Sequence, residues 1–186
     1  YNDSITEFWM IEDQSYELAD SKTLTKLKDG VQSINFSFKD TNGKFVSLND
    51  VQFKDKVVVV QILGTWCPNC LDETQFFLSY IQENPNEDLA FVGLSVEAAK
   101  TEEKAMNRIK NMIDKFNIPY PILLAQYGGT DKEKFLKKIP MLENIISYPT
   151  TIIIDKSGLV NSIHTGFNGP ATGQAYVDYK EDFKTE

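Results

Sequence analysis

Two cysteines stand three positions apart, Cys67 and Cys70, in the run Gly64-Thr65-Trp66-Cys67-Pro68-Asn69-Cys70. They are the only cysteines among 186 residues, and His164 is the only histidine. A tetrahedral structural zinc site needs four ligands. With His164 added to the pair, the usual Cys/His donors stop at three, so no metal site is expected. Two cysteines also cannot staple a disulfide-rich scaffold. The pair is left with redox chemistry or with a structural role. Thiol–disulfide exchange requires a thiolate, whose formation is favoured where the unpaired N–H groups of a helix N-terminus face the sulfur. A helix beginning at Cys67, with Pro68 in its first turn where a missing N–H costs nothing, supplies that setting. Cys67, at the open end, is then the attacking thiol. Cys70, one turn further in and more buried, is the resolving thiol that closes an intramolecular disulfide. Trp66 shields the pair and offers a flat apolar surface to a protein substrate.

The elements that must hold this pair are legible around it. Val57–Leu63 is apolar apart from Gln61 and β-branched at its start, as suits a strand buried on both faces of a sheet. Phe76, Phe77, Tyr80 and Ile81 give the following helix an apolar face, and Pro85 stops it. Leu89–Leu94 reads as a second buried strand. Thr101–Phe116 reads as an amphipathic helix carrying Ala105, Ile109, Met112, Ile113 and Phe116. Ile122–Leu124 is a short strand and Lys132–Ile139 a short helix. Thr151–Ile154 and Leu159–His164 flank Asp155-Lys156-Ser157-Gly158 as a hairpin. Upstream, Ile34, Phe36 and Phe38 alternate with polar residues and Phe45, Val46 and Leu48 answer them across an Asn42-Gly43 turn. Gln174–Phe183 closes the chain as a helix. Strands alternating with helices imply an α/β domain, a central mixed sheet covered on both faces, with an extra N-terminal hairpin. Residues 31–186 form this domain. Residues 1–30 read as an N-terminal extension, a linker or remnant of an upstream region, with Phe8, Trp9 and Ile11 its clustered apolar residues.

The formal charge is −8, from 27 acids against 19 bases. There is no basic stripe of the kind a nucleic-acid binder shows, so nucleic acid is not an expected partner. No apolar run approaches the roughly 20 residues that cross a bilayer. Tyr1 is not an initiator methionine. The expectation is that an upstream piece, an export signal, a lipid anchor or a domain, precedes this segment.

Val57 to Cys70, VVVVQILGTWCPNC, closely resembles the active-site segment of thioredoxin-fold proteins, and its Trp-Cys-Pro-x-Cys form resembles the TlpA/ResA class, related to the AhpC/TSA type. Asn35–Leu48 is similar to the N-terminal hairpin of that class. Glu73 matches its active-site glutamate, and Tyr148-Pro149-Thr150 matches the cis-proline loop of thioredoxin folds. His164 to Gly173 resembles extended TlpA-like proteins of Bacteroidetes-type bacteria. The resemblance spans Ser33 to the C-terminus. It implies a thioredoxin-like fold and a reductant of protein disulfides, supplied with electrons by an upstream donor protein. It also implies a cell-envelope or periplasmic location, reached through an anchor or domain upstream, and no cofactor. Cys67, Cys70 and Glu73 are the implied catalytic residues. Trp66, Tyr148 and Pro149 are the implied substrate-binding ones, the backbone of Tyr148 pairing with an extended substrate chain.

Two departures qualify the match. Gln61 stands where thioredoxin carries a buried strand aspartate, so its task is expected to fall to Glu73, and the inter-cysteine dipeptide is Pro-Asn rather than Gly-Pro. Those departures leave open a disulfide oxidase or isomerase of the same fold. A peroxiredoxin-type peroxidase is disfavoured, because Gly64 rather than threonine precedes Cys67 by three. A non-catalytic binding module with an idle Cys pair is the remaining alternative. His164 is expected to be a packing residue.

Overall fold

The computed structural model describes residues 19–185. Phe8, Trp9 and Ile11 lie outside them. Seven strands form one mixed sheet: β1 (Ser37–Lys39), β2 (Phe45–Ser47), β3 (Val57–Leu63), β4 (Leu89–Val96), β5 (Ile122–Gln126), β6 (Thr150–Ile154) and β7 (Val160–Thr165). Their order across the sheet is β2-β1-β5-β4-β3-β6-β7. β3 and β5 flank β4 in parallel, whereas β6 runs antiparallel to β3 and β7 antiparallel to β6. β3 is thus central, consistent with its near-continuous apolar sequence.

The α-helices among the described residues are α1 (Ser21–Leu24), α2 (Pro68–Glu83), α3 (Glu102–Phe116), α4 (Lys132–Leu136) and α5 (Gln174–Thr185). Alternation along β3 assigns its side chains to two layers. Val58, Val60 and Ile62 pack with Phe135 of α4, with Ile34, Phe36 and Val46 of the N-terminal hairpin region, and with Ile139. Val59 and Leu63 pack with Phe76 and Phe77 of α2, Ile109 of α3 and Phe183 of α5. Gln61 has the parity of Val59 and Leu63. The one polar side chain of β3 therefore points into the α2 layer, directly under the cysteine pair.

Three local differences from the sequence reading have physical causes. The first hairpin pairs only Ser37–Lys39 with Phe45–Ser47. Ile34 and Phe36 lie buried ahead of the strand, Phe36 O accepting Leu48 N at 3.3 Å, so burial explains their apolar character. α4 ends at Leu136 instead of Ile139, tightening into an i→i+3 bond from Lys138 N to Phe135 O. Pro140 follows, and proline pushes its predecessor out of the helical region. Finally, part of the extension expected at residues 1–30 is bonded to the domain. Asp20 caps α1 by accepting from Lys22 N, Thr165 Oγ1 accepts from Thr25 N and donates to Thr25 Oγ1, and Lys28 N donates to Met141 O.

Candidate active site

α2 starts at the cysteine pair because Pro68 occupies its first position and Cys67 serves as its N-cap, with φ −97° and ψ 111°. The cap atom is a sulfur: Cys67 Sγ accepts the backbone N–H of Cys70 at 3.3 Å. Both cysteines are free thiols. Cys67 is 8% exposed and Cys70 fully buried, so a partner can reach only the first. The Cys67 thiol is lowered to about 6. The main cause is the hydrogen bond from the Cys70 side chain, helped by the N–H groups of Cys70 and Asn69 and opposed by burial. Cys70 is pushed strongly up, first because its proton is held in that same bond and then by burial. The pair is therefore split into a ready nucleophile and a protonated reserve.

The loop before Cys67 is fixed from β4. Glu97, fully buried just past the strand, accepts Thr65 N at 2.9 Å, Thr65 Oγ1 at 2.8 Å and Ser95 Oγ at 2.7 Å. Trp66 Nε1 donates to Val96 O at 2.9 Å, which lays the indole back over Gly64. A Cβ at position 64 would sit 2.4 Å from Trp66 Nε1, so the close approach requires glycine there. Trp66 remains 42% exposed, its rim toward solvent.

On the other side of Cys67, Tyr148 presents its carbonyl 3.7 Å from Sγ as acceptor. The Tyr148–Pro149 peptide bond is cis, and Pro149 O accepts Gly166 N at 2.8 Å. The rings of Tyr148 and Trp66 meet edge to face with centroids 6.0 Å apart. Trp66, Cys67, Tyr148 and Pro149 thus form one surface.

Beneath it lies a buried polar network. Gln61 Nε2 donates to Cys70 O at 3.2 Å and to Glu73 Oε2 at 2.8 Å, while Gln61 Oε1 accepts from Thr74 Oγ1 at 3.0 Å. Tyr179, on α5, donates to Glu73 Oε1 at 2.9 Å. Glu73 is completely buried, and burial is the main reason its carboxyl is pushed up to about 7. Hydrogen bonds, Gln61's foremost, hold it below what burial alone would give, and the charge of Cys67 pushes it up further. Glu73 therefore changes charge near neutrality, and its charge in turn raises Cys70. Tyr120 lies buried near by, its hydroxyl pushed up by burial and then by Glu73.

The structure thus brings together every residue singled out in the sequence: Cys67, Cys70, Glu73, Trp66, Tyr148 and Pro149. His164 comes closer than its sequence position suggests. It pairs with Thr151 across β6 and β7 and meets the ring of Tyr179 edge-on at 5.7 Å. Thr74, Glu97 and Tyr179 were not legible in advance. Thr74, four residues after Cys70 on the same helix face, had a weak signal of spacing. Tyr179, 106 residues from its partner, had none. No group of three or more metal-ligating side chains occurs among the described residues.

The AhpC/TSA family model matches residues 30–163. The thioredoxin-like protein YneN of Bacillus subtilis is 30% identical over 146 residues, which cover 78% of this chain and 76% of that one. The thiol-disulfide oxidoreductase ResA of the same organism is 25% identical over 140 residues, 75% of this chain and 69% of its own. Among solved structures, a thiol-disulfide oxidoreductase from Bacteroides fragilis superposes with a TM-score of 0.59 at 16% identity, covering 82% of this chain and 99% of that one. A DsbF homologue from Corynebacterium diphtheriae gives 0.57 at 17% identity, covering 93% and 99%. With a thioredoxin-like sheet, a Cys-x-x-Cys pair capping its first long helix and these relatives, the chain belongs to the AhpC/TSA family, as a thioredoxin-fold thiol–disulfide oxidoreductase of the TlpA/ResA type.

Proposed function

We propose that the protein is a reductant of protein disulfides. The observation that carries this reading is the asymmetry of the pair, an accessible thiolate at Cys67 and a buried, protonated Cys70. The Cys67 thiolate attacks one sulfur of a substrate disulfide, and the other substrate sulfur leaves as a thiolate and takes up a proton. The mixed disulfide is then resolved. Cys70 loses its proton, its sulfur attacks Cys67 Sγ, and the substrate's second sulfur departs. Two electrons have moved to the substrate and Cys67–Cys70 is a disulfide, to be reduced again by a dithiol donor protein. Glu73, about one turn along α2 from Cys70 and titrating near neutrality, is placed to take the Cys70 proton. The Tyr148 carbonyl beside Sγ and the exposed rim of Trp66 form the seat for the substrate chain.

How far the thiolate is stabilised supports this reading. A lower pKa at the attacking cysteine favours the dithiol form and makes the disulfide more oxidising. Thioredoxin's is about 7 and that of the oxidant DsbA about 3.5, and the lowering of Cys67 to about 6 lies nearer the first, which supports the reductant reading. A reduction potential around −270 mV is expected, and one near −120 mV would reassign the protein as an oxidase. Cys70→Ala should accumulate a mixed disulfide through Cys67; trapping by Cys67→Ala instead would exchange the two roles. We place the activity in the cell envelope, on the resemblance of the active-site segment to the exported TlpA/ResA class. Gly64 at the minus-three position supports exchange over peroxidase chemistry, and rapid consumption of hydrogen peroxide by the reduced protein would reverse that choice.

A further inference from the structure

The face of α3 next to Trp66 carries a feature that exchange chemistry alone does not use. A groove of about 470 Å³ runs between the loop at Trp66, the first turn of α2 and α3. Its floor is apolar: Trp66, Leu71, Met112 and Phe116. Its rim is cationic: Arg108 and Lys115. Arg108 is the only arginine in the sequence. Helical spacing puts Lys104, Arg108 and Lys115 within about 40° of one another on the helix circumference. The acids of α3, Glu102, Glu103 and Asp114, lie about 80° or more from that stripe by the same geometry. None of the three cations forms an ion pair among the described residues, and Lys115 Nζ instead lies 5.2 Å from the centroid of the Phe116 ring. Asp72, the fifth residue of α2, has its carboxylate where it would lie 3.6 Å from a Cβ at Gly169, and its charge works against the Cys67 thiolate. So a chain of net charge −8 carries, among the described residues, a positive stripe with no ion-pair partner along the groove that Trp66 lines.

The position of the groove gives the stripe a use. Trp66 directly precedes Cys67, and Leu71 follows it by one helical turn, with Leu71 N donating to Cys67 O at 3.2 Å. A polypeptide whose disulfide lies on Cys67 must lay its flanking residues over one of the two walls. One wall is the Tyr148–Pro149 backbone and the other is this groove. We propose that the groove is a docking subsite for an acidic stretch of the substrate protein flanking its disulfide, with one apolar side chain on the Trp66–Met112–Phe116 floor and carboxylates at Arg108 and Lys115. This rests on the reading of the protein as an oxidoreductase of protein disulfides and names the kind of substrate it takes. A guanidinium offers two parallel N–H groups to a carboxylate, which fits Arg108 to orient a segment as well as attract it.

The overall charge favours a basic substrate, so the two readings oppose each other in sign. The test uses three peptides, each joined by a disulfide to a quenched fluorophore, with the same apolar residue and Asp, Lys or uncharged flanks. Release by the reduced protein is followed for wild type and for Arg108→Glu/Lys115→Glu, whose exposed positions leave the core untouched. Wild type is expected to favour the Asp peptide over the Lys peptide by about tenfold in kcat/KM at low salt, a difference that salt erodes. The variant is expected to reverse the preference for the Asp over the Lys peptide when each rate is taken relative to that of the uncharged peptide. Preference of wild type for the Lys peptide overturns the subsite, as does a double reversal that alters all three peptides equally or none. Failure of wild type to release even the uncharged peptide overturns the disulfide-exchange reading, and the subsite with it.

Discussion

Removing one oxygen from α5 should retune the active-site carboxylate. In Tyr179→Phe the ring keeps its packing against Phe167 and Phe76, at centroid distances of 4.9 and 5.6 Å, and only the hydroxyl that donates to Glu73 Oε1 at 2.9 Å is lost. A hydrogen bond to a charged group is worth about 1.5–3 kcal/mol. This one favours the carboxylate over the neutral acid. At about 1.4 kcal/mol per unit, its loss raises Glu73 by about one to two units, from about 7 into the range of about 8 to 9. At neutral pH the ionised fraction then falls from about one half to between about one tenth and one hundredth. If Glu73 takes the Cys70 proton, resolution of the mixed disulfide slows about 5- to 50-fold at neutral pH and recovers as pH is raised. Stopped-flow oxidation of the reduced protein by a disulfide peptide, read through Trp66 fluorescence across the pH range, measures this directly. A profile that does not move would refute the coupling of Tyr179 to Glu73. A uniform loss of rate at every pH would show that the hydroxyl serves packing alone.

Three further outcomes are expected. Alkylation of the reduced protein by iodoacetamide should follow a single Cys67 titration with a midpoint of about 6, with Cys70 unlabelled until the fold opens; a midpoint near 8.5, an ordinary thiol value, would contradict the N-cap account. Glu73 binds its proton more tightly folded than unfolded, because its folded value of about 7 lies above the ordinary 4.5. Stability should therefore fall as pH rises through that window, by on the order of 3 kcal/mol from this group; urea unfolding should show wild type losing stability relative to Glu73→Gln across it, and equal pH dependence of the two would disprove it. Glu97→Ala leaves the Thr65 N–H and two hydroxyls without their acceptor, at about 1–3 kcal/mol for a buried donor left unmade; thermal unfolding should report a loss of about that size or more, and Cys67 alkylation a broadened response, whereas an unchanged melting temperature would rule out Glu97 as the anchor of the loop.

What could be read from the sequence, and what could not, divides by the range of the interaction. The strand Val57–Leu63 and the start of α2 at Cys67 follow from local signals, a buried apolar run and a proline at the first helical position. Cys67 and Cys70 follow from spacing on one helix. Gln61 was legible as an oddity, a polar residue in an apolar strand, but its partners were not. The side to which it points depends on the parity of β3, and the acid it meets depends on α2 crossing that face. Tyr179 depends on where the last helix returns, which only the closed fold decides. Ile34 and Phe36, buried outside the strand, show the converse limit, since alternation reports burial and does not require a strand.

The substitution of an amide for an acid on β3 has a coherent physical rationale. A buried carboxylate at position 61 would stand beside Glu73, and two such groups cannot both ionise in a site from which water is excluded. The amide at this position instead donates both N–H groups, to Cys70 O and Glu73 Oε2, while its oxygen accepts from Thr74 Oγ1. It thereby ties the backbone carbonyl of the resolving cysteine to the carboxylate one turn along the same helix. The titratable group has moved from the sheet to α2 while the sheet still holds it. With Glu73 braced by Gln61 on one side and Tyr179 on the other, a fully buried acid is kept near neutrality instead of being driven further up by burial. The split between an acidic Cys67 and a protonated Cys70 and the near-neutral Glu73 are thus set by one connected group of side chains. The same group joins β3, α2 and α5, so the elements that close the core also set the protonation of the site.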